Sequence, residues 1–320
     1  MSESRARGGV VTLGETMALV STSTIGPIIN GASLCLGIGG AESNVAIALS
    51  RLGVDATWIG KVGDDPFGDL VLREIRAEGV RTVGVRDADA PTALMFKERR
   101  TQAETRIEYY RAGLAGSRLS VADVDDDLIR GAAVLHLTGI SPALSDDMRE
   151  VTDHAIAVAK DAGVTISFDL NYRGKLWTTE DAAEAYRRII PDTDIVFGGD
   201  EEAAIALGAD GTPLALAHGL VEMGAGEAVV KLGSLGAVAV VDGQEHERAA
   251  IPIQALDTVG AGDAFVAGYL ADYLLGEPVA TRLTTAVTVG AYACLVPGDW
   301  EGLPRRSELA RLTSNESVDR

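Results

Sequence analysis

Asp257-Thr258-Val259-Gly260-Ala261-Gly262-Asp263 runs without a break into Val266, Tyr269, Leu270, Tyr273 and Leu274, apolar residues at helical spacing that stop at Gly276 and Pro278. The segment reads as a glycine turn that opens a helix. Two glycines around an alanine let a backbone come close to a ligand and turn N–H groups towards it, and the positive end of the helix dipole adds to their pull. The pattern predicts a bound anion at this turn. On the residues alone Asp263 has two readings: it complements the helix dipole, or it stands beside the anion as a base for an attacking hydroxyl. No G-x-x-x-x-G-K-[ST] occurs, so the helix start rather than a P-loop must cradle phosphate.

Outward from this turn, short β-branched runs alternate with helix-period segments, the pattern of an α/β fold with a mostly parallel central sheet and helices on both faces. Candidate strands are Val10–Leu13, Thr57–Val62, Val134–Thr138, Val164–Leu170, Ile195–Phe197, Ala228–Leu232 and Ala237–Val241. Val45, Ala48, Leu49 and Leu52 form one apolar helical stripe that Gly53 ends; Met148, Val151, Ala155 and Val158 form another, with Ser145 as cap and Gly163 as stop. Leu94–Glu98 and Arg106–Tyr110 flank a polar turn and read as a projecting hairpin. Segments at about 15–39 and 92–111 are expected to form a small β lid that excludes water from a cleft. No linker, repeat or low-complexity run divides the chain, so 1–320 reads as one domain, with a loosely ordered tail after Leu309.

With 47% hydrophobic and 23% charged residues the chain can bury a large core, and its formal charge of -19 repels nucleic acid and anionic membranes. Small anionic substrates would need local cations. Cys35 and Cys294 are too few for a disulfide framework, and the four histidines have no metal-type spacing. Met1 to Gly9 is polar and reads as a flexible start rather than a signal peptide, and no run of about 18 apolar residues could span a bilayer. The expected location is cytoplasmic.

Three blocks in order, Gly39-Gly40-Ala41-Glu42-Ser43-Asn44-Val45-Ala46, Val62-Gly63-Asp64-Asp65-Pro66-Phe67-Gly68 and the Asp257–Asp263 turn, resemble the ribokinase-like carbohydrate kinases over roughly Val10 to Pro304. The resemblance implies an ATP- and Mg²⁺-dependent sugar kinase. Asp263 would be the base, and Gly260, Ala261 and Gly262 the anion hole for the transferring phosphoryl group. It also places nucleotide contacts on Lys231, Gly233, Ser234 and Gly236; an ordinary β-turn is the rival reading there. Glu202 matches a glutamate that organises magnesium and its waters, but Gly199 stands where the family motif has asparagine, and Asp200–Glu202 also read as plain helix-surface acids. Asp257 and Thr258 match a loop that binds a monovalent cation such as K⁺ in many relatives.

Within that family the chain resembles 2-keto-3-deoxygluconate kinases through Gly40–Asn44, Tyr109-Tyr110-Arg111, Asp169-Leu170-Asn171-Tyr172-Arg173 and Pro297-Gly298-Asp299. A sugar acid needs carboxylate recognition, which planar guanidinium groups supply well; Arg111 and Arg173 are the candidates, although each alone also reads as a surface ion-pair former. Gly40, where a Cβ would block substrate, and Asn44 are expected at sugar oxygens, with helix capping the rival for Asn44. Tyr109 and Tyr110 point to opposite faces of a strand, so one of them faces substrate. Asn171 is expected near the nucleotide side, and Asp299 at a substrate hydroxyl, unless Pro-Gly-Asp is simply a turn. Met95 replaces a tyrosine that some of these kinases set against substrate. Fructokinase or another neutral-sugar kinase is the same-family alternative, and a catalytically silent sugar- or nucleotide-binding protein the alternative of another class. Exposed lid edges also point to a homo-oligomer.

Overall fold

The computed structural model describes residues 8–101 and 104–313. The expectation for Met1 to Gly9 falls mostly outside them, as does the tail beyond Thr313. Between Arg306 and Thr313 the chain continues in 3₁₀ turns, so the expected loosening after Leu309 does not begin there.

The strands in chain order are β1 (Val10–Leu13), β2 (Met17–Thr22), β3 (Leu34–Gly39), β4 (Ala56–Gly63), β5 (Arg81–Asp87), β6 (Leu94–Arg99), β7 (Thr105–Tyr110), β8 (Val134–Thr138), β9 (Thr165–Asp169), β10 (Ile195–Gly199), β11 (Glu227–Lys231), β12 (Ala237–Val241) and β13 (Gln244–Arg248). The main sheet has the order β13-β12-β11-β10-β9-β8-β1-β4-β5. All pairs from β11 to β5 are parallel, and the β12–β13 hairpin closes one edge antiparallel. This bears out the expected α/β architecture.

Strand alternation builds two cores. Val10, Val134, Ile195, Phe197 and Val229 point to one face, under the helices Ala41–Arg51, Pro66–Ala77, Ala261–Leu274 and Val279–Ala293. Val11, Leu135, Leu137, Val196 and Val230 point to the other, under Asp146–Ala162, Thr179–Ile189 and Pro213–Glu222. An edge-to-face contact between Phe197 and Tyr269, with centroids 5.3 Å apart, locks the Ala261–Leu274 helix to the sheet. The two helices read from periodicity are present with their stops: Gly53 has φ 83° and Gly163 φ 62°, and Ser145 accepts the Met148 N–H at 3.1 Å.

The expected hairpin forms from β6 and β7, and belongs to a second sheet of order β3-β2-β6-β7. Two antiparallel hairpins meet there through the parallel pair β2–β6. The inner face of this small sheet carries Leu19, Met95 and Tyr109, packed as a minor apolar cluster. Chain order in the main sheet reverses between β1 and β8, so the loops after those strands part and leave a crevice at their carboxyl ends, the usual ligand position in open α/β sheets.

Candidate active site

Gly260 begins the Ala261–Leu274 helix with φ 77°, and a Cβ there would lie 1.9 Å from the Asp299 carbonyl oxygen. Both the left-handed backbone and the close approach demand glycine. The Ala261 N–H bonds the Thr258 carbonyl at 3.3 Å, so this expected anion donor is already engaged; the N–H groups of the next two residues start a helix and lack intrahelical acceptors. A Cβ on Gly262 would be 3.5 Å from the Lys231 ammonium, which therefore stands beside the turn.

Asp263 is 8% exposed and accepts a hydrogen bond from Asn44 Nδ2 at 2.8 Å. Burial raises its pKa above the usual aspartate value, while hydrogen bonds from Asn44 and Asn171 and the charges of Arg173 and Lys231 pull it back. Asn44 is interior to the Ala41–Arg51 helix, whose N-cap is Gly40, so it does not cap. Its Oδ1 is buried without a partner at the cavity wall. Asn171 holds φ 41°, an uncommon conformation for a non-glycine residue and one fixed beside the carboxylate it serves. It thus hydrogen-bonds Asp263, a partner that the sequence did not indicate for this expected nucleotide contact.

Gly40 lines the cavity, but its missing Cβ would strike the Glu15 carbonyl at 2.4 Å. Backbone packing against Glu15 and Thr16, rather than room for substrate, explains this glycine. Tyr109 lines the cavity opposite Met95, whereas Tyr110 is 62% exposed on the outer face of β7, away from the position expected of a substrate contact. Asp299 is buried at the cavity wall, 3.6 Å from the Lys97 ammonium, and burial pushes its pKa up to about 7.

The two arginines differ. Arg111 is buried, stacks over Tyr109 at 5.4 Å and pairs with Glu15 at 2.5 Å. Arg173 is exposed and donates only to the Tyr172 carbonyl at 3.1 Å; among the described residues no carboxylate is ion-paired with it. Both line the cavity over Asp263 and a neighbouring one of about 350 Å³ bounded by Tyr109, Tyr172 and Lys175.

Lys231 does not reach outward beside the 233–236 turn. It grips both Asp169 oxygens, at 2.7 and 2.8 Å. Burial raises Asp169 to about 6 against the pull of Lys231. The turn after it, with Gly233 at φ 55°, Ser234 and Gly236 at φ 113°, joins β11 to β12; Gly233 and Ser234 are exposed there, while a Cβ on Gly236 would lie 2.0 Å from the Arg248 carbonyl. Glu202 accepts the N–H of Tyr172 at 2.8 Å and of Gly199 at 2.7 Å, fastening the loop after β9 to the start of the Asp200–Leu207 helix. Asp257 accepts from Lys97 Nζ at 2.6 Å.

Around the cavity, Glu15, Glu42 and Lys97 are buried charged groups that the sequence did not single out. Glu42 accepts from Thr138 Oγ1 at 2.7 Å and Ser141 Oγ at 3.1 Å. Its one textual signal is the preceding pair of glycines, which leaves no side chain to shield a first-turn acid. Gly14 completes its pocket, since a Cβ there would lie 2.3 Å from the Glu42 carboxyl carbon.

Residues 8–306 match the pfkB family carbohydrate kinases. The chain is 36% identical over 292 residues to a 2-dehydro-3-deoxygalactonokinase of Haloferax volcanii, covering 91% of this chain and 92% of that one. It is 35% identical to a 2-dehydro-3-deoxygluconokinase of Bacillus subtilis, covering 95% of each. A fructokinase of Xylella fastidiosa solved with bound ATP superposes with a TM-score of 0.83 at 28% identity, covering 95% of this chain and 97% of that one. The chain belongs to the pfkB family and has its ribokinase-like fold; it is an ATP-dependent carbohydrate kinase.

Burial is the main reason that Glu42 has a pKa of about 7 in place of 4.5, opposed by its hydrogen bonds from Thr138 and Ser141. A raised carboxyl favours the folded state below about pH 4.5, and that advantage is lost as pH rises through about 7, on the order of 3 kcal/mol. Asp299 contributes a slope of the same sign. Urea unfolding of Glu42→Gln at pH 5 and pH 8 should therefore show a smaller fall in stability than wild type; an equal fall would exclude Glu42 as a source.

Proposed function

We propose that the chain phosphorylates the 6-hydroxyl of 2-keto-3-deoxygluconate, the compound also called 2-dehydro-3-deoxygluconate, with ATP as donor. The observation that carries this reading is Arg173: a guanidinium with no paired carboxylate among the described residues, facing the same cavity as Asp263. In a chain of net charge -19 an arginine over a cleft that lacks an ion-paired carboxylate among the described residues suits an anionic substrate. Relatives named for this acid and for the galacto compound support it.

In the proposed reaction Asp263 accepts the hydroxyl proton, the hydroxyl oxygen forms its bond to the γ-phosphorus, and the bond from that phosphorus to ADP breaks. Asn44 and Asn171 hold the carboxylate in orientation, and the helix start with Lys231 meets negative charge on the transferring group. Arg173 orients the substrate carboxylate, Tyr109 and Met95 wall the sugar, and Asp299, titrating near neutrality, meets a hydroxyl as donor or acceptor. The turn at 233–236, exposed at Gly233, Ser234 and Leu235, takes the nucleotide. The small sheet acts as the lid, seating apolar side chains over the cleft and shedding water from it.

Magnesium would neutralise phosphate charge in this reaction. No group of three or more His, Cys, Asp or Glu suited to a metal occurs among the described residues, so such an ion would rest on phosphate oxygens and waters. Glu202 fits a water-mediated part, because each oxygen spends one lone pair on a main-chain N–H and keeps another. Use of ATP is consistent with the cytoplasmic location that the sequence leads us to expect. Leu36 and Tyr110, 63% and 62% exposed on the outer face of the small sheet, favour a homo-oligomer formed through that face.

Asp263→Asn should lower kcat by about 10²–10⁴-fold without unfolding the protein, read by coupled ADP release; retained turnover would exclude the base role. Arg173→Ala should raise KM for 2-keto-3-deoxygluconate by about 10- to 100-fold while leaving any activity on fructose unchanged, since only the acid loses a charge-assisted bond. A wild-type preference for fructose would remove the acid assignment in favour of fructokinase, and absence of turnover on every sugar would favour a silent binding protein. Leu36→Glu should shift the light-scattering mass to that of a monomer, and an unchanged assembly would clear the small sheet of that role.

A further inference from the structure

Lys97 sits on the inner face of β6, paired in register with Ser21 of β2 and Ile107 of β7, and its side chain is only 4% exposed. Its ammonium lies 2.6 Å from Asp257 Oδ2 and 3.6 Å from Asp299 Oδ1. The same Asp257 Oδ2 accepts the Gly298 N–H at 3.2 Å, and Oδ1 accepts the Val259 N–H at 3.2 Å. One carboxylate thus fastens three pieces together: the small sheet, the turn that ends in Asp263, and the loop that carries Asp299.

Asp257 is the residue that the family resemblance gives to a monovalent cation, and its surroundings do not fit that ion. The carboxylate already has a full positive partner in contact, and its two oxygens are committed to main-chain donors as well. A potassium ion on the same oxygens would be placed beside the Lys97 ammonium, away from water that could screen the repulsion.

We propose that Lys97 is a positioning residue whose ammonium, carried in by the small sheet, replaces a monovalent cation at Asp257 and holds the glycine turn in its anion-receiving form. Without it Asp257 and Asp299 would lie next to each other with no cation, beside the place where a phosphoryl group brings further negative charge. With it the shape of the turn depends on how the small sheet is seated, and turnover needs no added potassium. This inference goes beyond the proposed function and rests on its reading of Gly260–Asp263 as the phosphoryl site.

The test compares wild type with Lys97→Met and Lys97→Ala in KCl, NH₄Cl and tetramethylammonium chloride at equal ionic strength, measuring both ADP release and the thermal unfolding midpoint. Wild type should change by less than about twofold in kcat between the salts, and its midpoint should not distinguish potassium from tetramethylammonium. The variants should lose about tenfold to a hundredfold in kcat in tetramethylammonium with a much smaller change in sugar KM, and regain part of it in NH₄Cl or KCl. Their midpoints should rise with the small cations, a response that loss of packing alone would not produce. A wild-type enzyme stimulated tenfold by potassium, or variants with neither a defect nor a small-cation response, would overturn the proposal. The thermal arm does not depend on turnover, so failure of the site reading, seen as an Asp263→Asn variant that still turns over, remains distinguishable from failure of the Lys97 role.

Discussion

The Asp263 carboxylate is buried, and a buried carboxylate is tolerated only where hydrogen bonds and cations answer it. The answering groups come from three separate parts of the chain: Asn44 from the Ala41–Arg51 helix, Asn171 and Arg173 from the loop after β9, and Lys231 from the end of β11. None can reach Asp263 unless the sheet is ordered as it is and the Ala41–Arg51 and Ala261–Leu274 helices lie side by side on one face. The environment of this carboxylate is therefore a product of the whole fold. Its raised affinity for a proton, moderated by two amides and two cations, suits the base role proposed for it.

Charge is distributed sparingly around the cleft. Arg111 answers Glu15, Lys231 answers Asp169, and Lys97 answers Asp257 with Asp299 nearby. Each of these pairs joins segments distant in sequence, and each leaves little net charge behind. Arg173 differs: among the described residues no carboxylate is in ion-pair contact with it, and its charge acts on Asp263 from a distance. Two neighbouring acids, Glu42 and Asp299, titrate near neutrality because burial penalises their charged forms, which spares the cleft further negative charge at lower pH.

Much of the site was legible because its chemistry is local. A glycine turn at a helix start announces an anion site through backbone conformation alone, and the resemblance to carbohydrate kinases rested on three short blocks of contiguous residues. The alternation of Tyr109 and Tyr110 followed from strand geometry, though which of them faces the cleft depended on where the small sheet docks. Strands β5 and β13 were not read, since Arg81–Asp87 and Gln244–Arg248 are half-exposed or exposed edges without the apolar alternation that marks a buried strand.

By itself the sequence determined the α/β class, the helix stops at Gly53 and Gly163, the glycine turn that opens a helix and the acid in its first turn, because each is a property of neighbouring residues: periodicity, backbone freedom, dipole. The tertiary structure alone decided who partners whom among the charges. Asn44 lies 219 positions from the carboxylate it serves, and Lys97 lies 160 from Asp257. Glu15 pairs with Arg111, whereas among the described residues no carboxylate is ion-paired with Arg173. Such partnerships arise from strand order and from the seating of one sheet over another, and the Coulomb and desolvation energies that govern them depend on distance in space rather than along the chain.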